Sequence, residues 1–159
     1  MIQRIQTVWL LLALAFAVTC LCFPIGYYIA DNGARLASVT NLWFAYSPEF
    51  VCEEMVARTA RPWALFGLLI IVSLLTFVNI FLFRRRALQM RLCSFCTILL
   101  VSWYLLYAFF AVVMGRGLEA HFRPEWAGAL PFAALVMEYL AFRGVARDEA
   151  LVRSLDRLR

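Results

Sequence analysis

The sequence predicts an all-α integral membrane protein with four transmembrane helices in a bundle, a short structured outer loop and an amphipathic helix at the C-terminus. Three observations carry that prediction. Hydrophobic residues make up 65% of the 159 and the mean hydropathy is +0.82, far above the roughly 45–50% apolar content of soluble domains. The charged residues, 16% of the chain, fall in blocks between long apolar runs instead of being interspersed as on a solvated surface. Four of those runs reach or approach the about 20 residues needed to cross a hydrocarbon core.

The first span is read over residues 8–29. Arg4 precedes it as in a secretory signal, but the run is longer than an apolar signal core of about 7–15 residues and no small-x-small cleavage site follows. Thr19 before Cys20 also departs from a lipoprotein signal, so the segment is expected to be retained. An outer loop covers residues 30–62, long against the usual roughly 4–6 residue connection. Within it, residues 39–46 are β-branched and aromatic and end at Ser47-Pro48, a strand-like run closed by a turn signal. Residues 49–58 read as a short helix, with Pro48 in its first turn and Glu49, Glu53 and Glu54 toward its N-terminal half.

The second span occupies 63–83, a cytoplasmic turn 84–91, the third span 92–114, a second outer loop 115–125 and the fourth span 126–142. Pro24 and Pro131 fall inside the first and fourth of these runs and would permit kinks. The tail, 143–159, changes character. Leu151, Leu155 and Leu158 recur at helical spacing and Glu149 precedes Arg153 by four, the pattern of an amphipathic helix that lies on the leaflet, prolongs the fourth span or docks on a partner. The whole chain forms one domain.

Orientation follows from arginine, because cytoplasmic loops collect positive charge. The fifteen basic residues are all Arg. Ten of them (Arg4, Arg84, Arg85, Arg86, Arg91, Arg143, Arg147, Arg153, Arg157 and Arg159) fall on one side and five (Arg35, Arg58, Arg61, Arg116 and Arg123) on the other. Both termini are therefore expected in the cytoplasm, with Trp63, Trp126, Tyr27 and Tyr28 in an aromatic belt at the outer interface. A pI near 9.2 then reports topology and contact with anionic headgroups, and no nucleic-acid partner is expected.

The chemically suggestive motif is Cys93-Ser94-Phe95-Cys96, a C-x-x-C on a four-span chain that also holds Cys20, Cys22 and Cys52, a combination found in membrane thiol oxidoreductases related to vitamin K epoxide reductase. The charge rule places Cys93 and Cys96 at the cytoplasmic end of the third span, across the bilayer from Cys52. Packing as small apolar residues is the expectation for this pair. One outer disulfide, from Cys52 to Cys20 or Cys22, is an open alternative. Glu138 is the acidic residue inside a span, an intramembrane ionisable group, about 7.5 Å along the helix from Arg143 and so within reach of snorkelling or of pairing with a neighbouring arginine. His121 is the single histidine of the chain, too few for a zinc site of three or four ligands. Ser73, Thr76, Asn79 and Ser102 read as hydrogen-bonding glue between helices. The sequence holds no Gly-rich phosphate loop, nucleophile elbow or H-E-x-x-H, so no catalytic residue, metal site or cofactor is expected.

The opening MIQRIQTVWLLLA (1–13) and the closing RDEALVRSLDRLR (147–159) resemble the family known as domain of unknown function 4293. The resemblance covers the whole chain in length and span count. It implies a four-span inner-membrane protein of Bacteroidetes-type Gram-negative bacteria, and it implies no activity. Both matching ends lie on the predicted cytoplasmic side. If Gln3, Arg4 and Gln6 meet the tail, they form a polar platform for docking that includes Arg4, Arg147, Asp148, Glu149, Arg153, Asp156 and Arg157.

Together these readings lead to a non-enzymatic accessory or scaffold subunit of a larger inner-membrane complex in protein export or envelope biogenesis, with the bilayer and other inner-membrane proteins as its partners. Two alternatives stand beside it: a quinone-linked thiol oxidoreductase using Cys93 and Cys96, and a small transporter or ion channel involving Glu138.

Overall fold

A computed structural model describes residues 2–30, 33–46, 62–82, 85–118 and 120–156, with residues 2–4, 46, 117–118 and 151–156 described as backbone. The chain is mostly helical. Helices α1 (Ile2–Cys22), α2 (Trp63–Phe81), α3 (Arg86–Leu118) and α4 (Leu130–Asp156) each contain a stretch long and apolar enough to cross a membrane, the mark of a multi-pass membrane protein. They alternate in direction and pack in the cyclic order α1, α2, α3, α4 and back to α1. Small residues are buried on the inner faces of the closely packed α1 and α4: Ala13, Ala17 and Cys20 on one, Ala134 and Ala141 on the other. Small side chains let two backbones approach closely, which matters where lipid removes the usual hydrophobic drive between helices. Large apolar side chains, among them Leu74, Phe77, Ile98, Leu105 and Phe132, point outward and are exposed, an inverted polarity suited to a lipid surround.

The all-α expectation does not extend to the connections. Strands β1 (Gly26–Ile29), β2 (Arg35–Val39), β3 (Phe44–Tyr46) and β4 (His121–Pro124) form one antiparallel sheet in the order β3-β2-β1-β4. The first span therefore ends at Cys22 instead of reaching 29. Pro24 lacks a backbone donor and disfavours helical geometry at Phe23 before it, and the chain turns out into β1. The run at 39–46 is two strand ends and a tight turn, in which Thr40 N–H donates to Trp43 O at 3.0 Å and Thr40 Oγ1 to the same oxygen at 2.7 Å. Between β1 and β2 the turn closes with Gly33 N–H donating to Ala30 O, and Gly33 has φ of +81°, a value that glycine adopts without steric cost. The helix expected at 49–58 lies outside the described residues.

Other boundaries shift for similar local reasons. Helix α3 begins at Arg86, inside the turn expected at 84–91. Pro131 stands at the second residue of α4, after a 3₁₀ turn at Trp126–Ala129, where a missing N–H costs nothing, so it starts the helix without kinking it. Helix α4 then runs unbroken into the tail.

The sheet caps one end of the helix ring. Tyr28, Val39, Phe44 and Phe122 share a core with Met114, Trp103 and Leu100 of α3. Trp103 is fully buried, with its ring stacked on Tyr107 at 5.1 Å and 11° and met edge-on by Tyr104. These tyrosines serve the non-helical backbone beside the apolar layer, where unpaired carbonyls are costly: Tyr107 Oη donates to Ile25 O at 2.9 Å and Tyr104 Oη to Gly128 O at 2.8 Å. Tyr28 Oη donates to Phe110 O at 3.2 Å, and burial pushes its phenol up from the ordinary tyrosine range.

Candidate functional site

Polar side chains inside the helix ring gather at two places. The first joins α2, α3 and α4. Thr76 and Asn79 are three residues apart and so face the same side of α2; Cys93 and Cys96 repeat that spacing on α3, and Glu138 comes from α4. All five are buried, Glu138 to 0% exposure. Thr76 Oγ1 donates to Glu138 Oε1 at 2.6 Å and lies 3.8 Å from Cys96 Sγ. Asn79 Nδ2 donates to Cys93 Sγ at 3.1 Å. Cys93 adjoins the Glu138 carboxyl, yet Glu138 Oε2 and Asn79 Oδ1 have no hydrogen-bond partner among the described residues.

This placement corrects two expectations. Glu138 does not reach for an arginine: its side chain points into the ring at Thr76, because α4 turns that face toward α2 and α3. Ser73 and Ser102 do not join helices either. Each donates to the carbonyl four residues earlier in its own helix, Leu69 O at 2.7 Å and Ile98 O at 3.0 Å, the usual local alternative for a serine. Thr76 and Asn79 do bridge helices. Cys93 and Cys96 are fully buried free thiols, and Cys93 also packs against Leu10 and Ala141. Among the described residues no group of three or more His, Cys, Asp or Glu is placed to hold a metal ion.

The second gathering lies at the end of the ring opposite the sheet, on the α1–α4 seam. Gln6 Nε2 donates to Asp148 Oδ2 at 2.8 Å, both side chains being buried. Gly144 makes room for this contact, since a Cβ there would stand 2.9 Å from Gln6 Cγ. Arg86 of α3 donates to Asp148 O at 3.4 Å. Beside the pair runs a groove of about 410 Å³ whose lining includes Ile5, Trp9, Leu140, Arg143 and Arg147.

Of the residues expected to form a docking platform, Asp148 meets Gln6, and Arg147 is exposed on the groove. Glu149 is half-buried and engaged. Arg4, Arg153 and Asp156 are described as backbone, and Arg157 lies outside the described residues, as does Cys52. Cys20 and Cys22 carry free thiols, and Asn41 Nδ2 donates to Cys20 O at 2.7 Å. His121 sits in edge strand β4, opposite Ile29. The sequence reading named Arg143 only as a cytoplasmic arginine within reach of Glu138, and it missed Trp9 and the part played by Gly144. Their signal was a glycine one residue after an arginine, at the point where apolar sequence gives way to charge.

The sequence model of a family described as Domain of unknown function (DUF4293) matches residues 2–158. No curated protein matches the chain.

Proposed function

The chain belongs to the DUF4293 family, whose description carries no activity, and from that starting point we propose that it is a non-enzymatic accessory or scaffold subunit of a larger assembly in the bacterial inner membrane. The observation that carries the reading is the unbroken course of α4 from Leu130 to Asp156. At 1.5 Å per residue its 27 residues extend about 40 Å, against a hydrocarbon core of about 30 Å. The last turns, with Arg147, Asp148, Glu149, Arg153 and Asp156, extend past the hydrocarbon core as a charged helix held to α1 by the Gln6–Asp148 bond. The arginine distribution supports a cytoplasmic location for that end. Most polar side chains within the apolar layer are spent on a neighbouring helix or on the backbone of their own, so what the four-helix bundle has to offer a partner is surface.

Purification of the tagged protein from its host in mild detergent, with co-purifying proteins identified against an untagged control, tests this. A stoichiometric membrane partner, lost when Arg153, Asp156 and Arg157 are replaced together by alanine, is the expected result. A strictly monomeric protein in native membranes would overturn the reading.

Glu138 Oε2, which has no hydrogen-bond partner among the described residues, favours a second reading, a small transporter or ion channel that uses this carboxyl, since buried intramembrane acids are costly and are often retained for transport. Glu138→Gln would then abolish proton or solute flux in proteoliposomes; unchanged flux would sink it. The third reading, a quinone-linked thiol oxidoreductase, needs Cys93 and Cys96 to open from their fully buried positions.

A further inference from the structure

We propose that the groove between α1 and α4, at the end opposite the sheet, binds one glycerophospholipid with an anionic headgroup. Its polarity changes along the helix axis as a phospholipid's does. Trp9 and Leu140 line the part toward the middle of the spans, while Arg143 and Arg147 of α4, with Ile5 and Gln6 of α1, line the part toward the helix ends. These arginines are four residues apart, on one face and separated by about 6 Å of rise. Both are exposed, and neither makes an ion pair or hydrogen bond among the described residues. The groove's own carboxylate, Asp148, is engaged by Gln6. Arg86 donates to the Asp148 backbone carbonyl from the α3 side, so Arg86, Arg143 and Arg147 share this end of the seam with a carboxylate already bonded by Gln6, and the local balance favours an anion.

Depth supports the same occupant. From Trp126 the 3₁₀ turn adds about 8 Å at 2 Å per residue, and the thirteen residues from Leu130 to Arg143 add about 20 Å at 1.5 Å per residue. Arg143 therefore lies about 28 Å from the tryptophan that opens the fourth span, close to the full hydrocarbon thickness of about 30 Å. That is the headgroup level of the leaflet opposite Trp126, with Arg147 one turn further out. A phosphodiester held between the two arginines would lay an acyl chain along Leu140 and Trp9, inside a pocket between spans of the kind that selects anionic lipids. The inference is independent of the subunit reading.

The test is native mass spectrometry of the full-length protein from detergent doped with dioleoylphosphatidylglycerol or dioleoylphosphatidylcholine. One phosphatidylglycerol per chain should be retained, and little phosphatidylcholine. R143Q/R147Q should lower retention about tenfold or more, in line with roughly 1 kcal/mol per arginine near a membrane surface, while R116Q, at the sheet end, leaves it unchanged. L140W, which fills the acyl part and keeps both arginines, should also lose the lipid. Thermal midpoints confirm that each variant is folded. Equal retention of the two lipids, or wild-type retention by R143Q/R147Q, would overturn the proposal. So would displacement of the lipid by millimolar inorganic phosphate, which would make the site one for free phosphate.

Discussion

Thr76 Oγ1 donates to Glu138 Oε1 across 2.6 Å, tying α2 to α4 inside the apolar layer, while the other carboxyl oxygen has no partner among the described residues. One well-placed hydroxyl thus gives the buried carboxyl its short hydrogen bond, beside the Cys93 thiol. The cost of that arrangement is set by what each substitution leaves behind, more than by the strength of the bond.

Thr76→Val keeps the shape and removes the hydroxyl donor to the carboxyl. Interhelical hydrogen bonds in membranes average about 0.6 kcal/mol, but a stranded buried polar group costs about 1–3 kcal/mol, so a loss of about 1–2 kcal/mol is expected from unfolding in bicelles. Glu138→Gln retains an acceptor for Thr76 and should cost less than Thr76→Val. The pair Thr76→Val with Glu138→Leu should cost less than the sum of its single changes, and additivity there would show that the two residues are not coupled.

At the other polar site the sign of one substitution should depend on its neighbour. Gly144→Ala gains about 0.8–1 kcal/mol of helix propensity, but its Cβ would stand 2.9 Å from Gln6 Cγ, and overpacking costs about 1–3 kcal/mol. In the native background the clash wins, and Gly144→Ala destabilises by about 1 kcal/mol. In a Gln6→Ala background the clash is gone and the same change stabilises. Thermal midpoints of the four proteins check this; an unchanged sign would mean that Gly144 is not there for Gln6.

How much of this was legible in the sequence depended on how local each signal was. The helices were legible because an apolar run of bilayer length needs no tertiary context to be helical in lipid. The sheet was not, although its signals were present. Tyr27, Tyr28 and Ile29 are apolar enough to extend the first run, and they concealed the break that Pro24 and Gly26 impose; Asn32-Gly33, a hairpin signal, sat unused between them and β2. For the sites, Thr76 and Asn79 announced themselves as polar residues deep in a span, but the periodicity of α4 shows only that Glu138 has a face, and says nothing of which helix stands opposite it. The Gln6–Asp148 bond joins residues 142 apart. Only the return of α4 alongside α1 makes them neighbours.

Tyr28 gives the protein an alkaline limit. Burial raises the phenol's pKa in the folded state, whereas in the unfolded chain it ionises at about 10. The folded form therefore holds its proton more tightly, and the stability this contributes is complete below about pH 10 and is lost as pH rises above it. Tyr28→Phe loses the bond to Phe110 O at every pH but cannot titrate. Its midpoint should start lower and fall less steeply between pH 10 and 11.5, and parallel curves would rule out Tyr28 as the group responsible.

Thiol accessibility separates a packing role for Cys93 and Cys96 from a redox one. Cys22 is exposed at the end of α1, whereas Cys20, Cys93 and Cys96 are buried. Reaction with a maleimide needs a reachable thiolate, so in a Cys52→Ser background the folded protein should take one label per chain quickly, at Cys22, and three more only after unfolding in detergent and heat. Packing sets the expected gap: Cys93 is enclosed by Leu10 and Ala141 and bonded by Asn79, and exposing it requires α3 to part from its neighbours, a motion governed by the stability of the helix ring. The lag at Cys93 and Cys96 should shorten in Thr76→Val, which loosens α2 against α4, and stay the same in R116Q at the far end. Labelling of Cys93 or Cys96 at the rate of Cys22 would mean that the pair opens to solvent in the native state, and the thiol oxidoreductase reading would then displace the structural one.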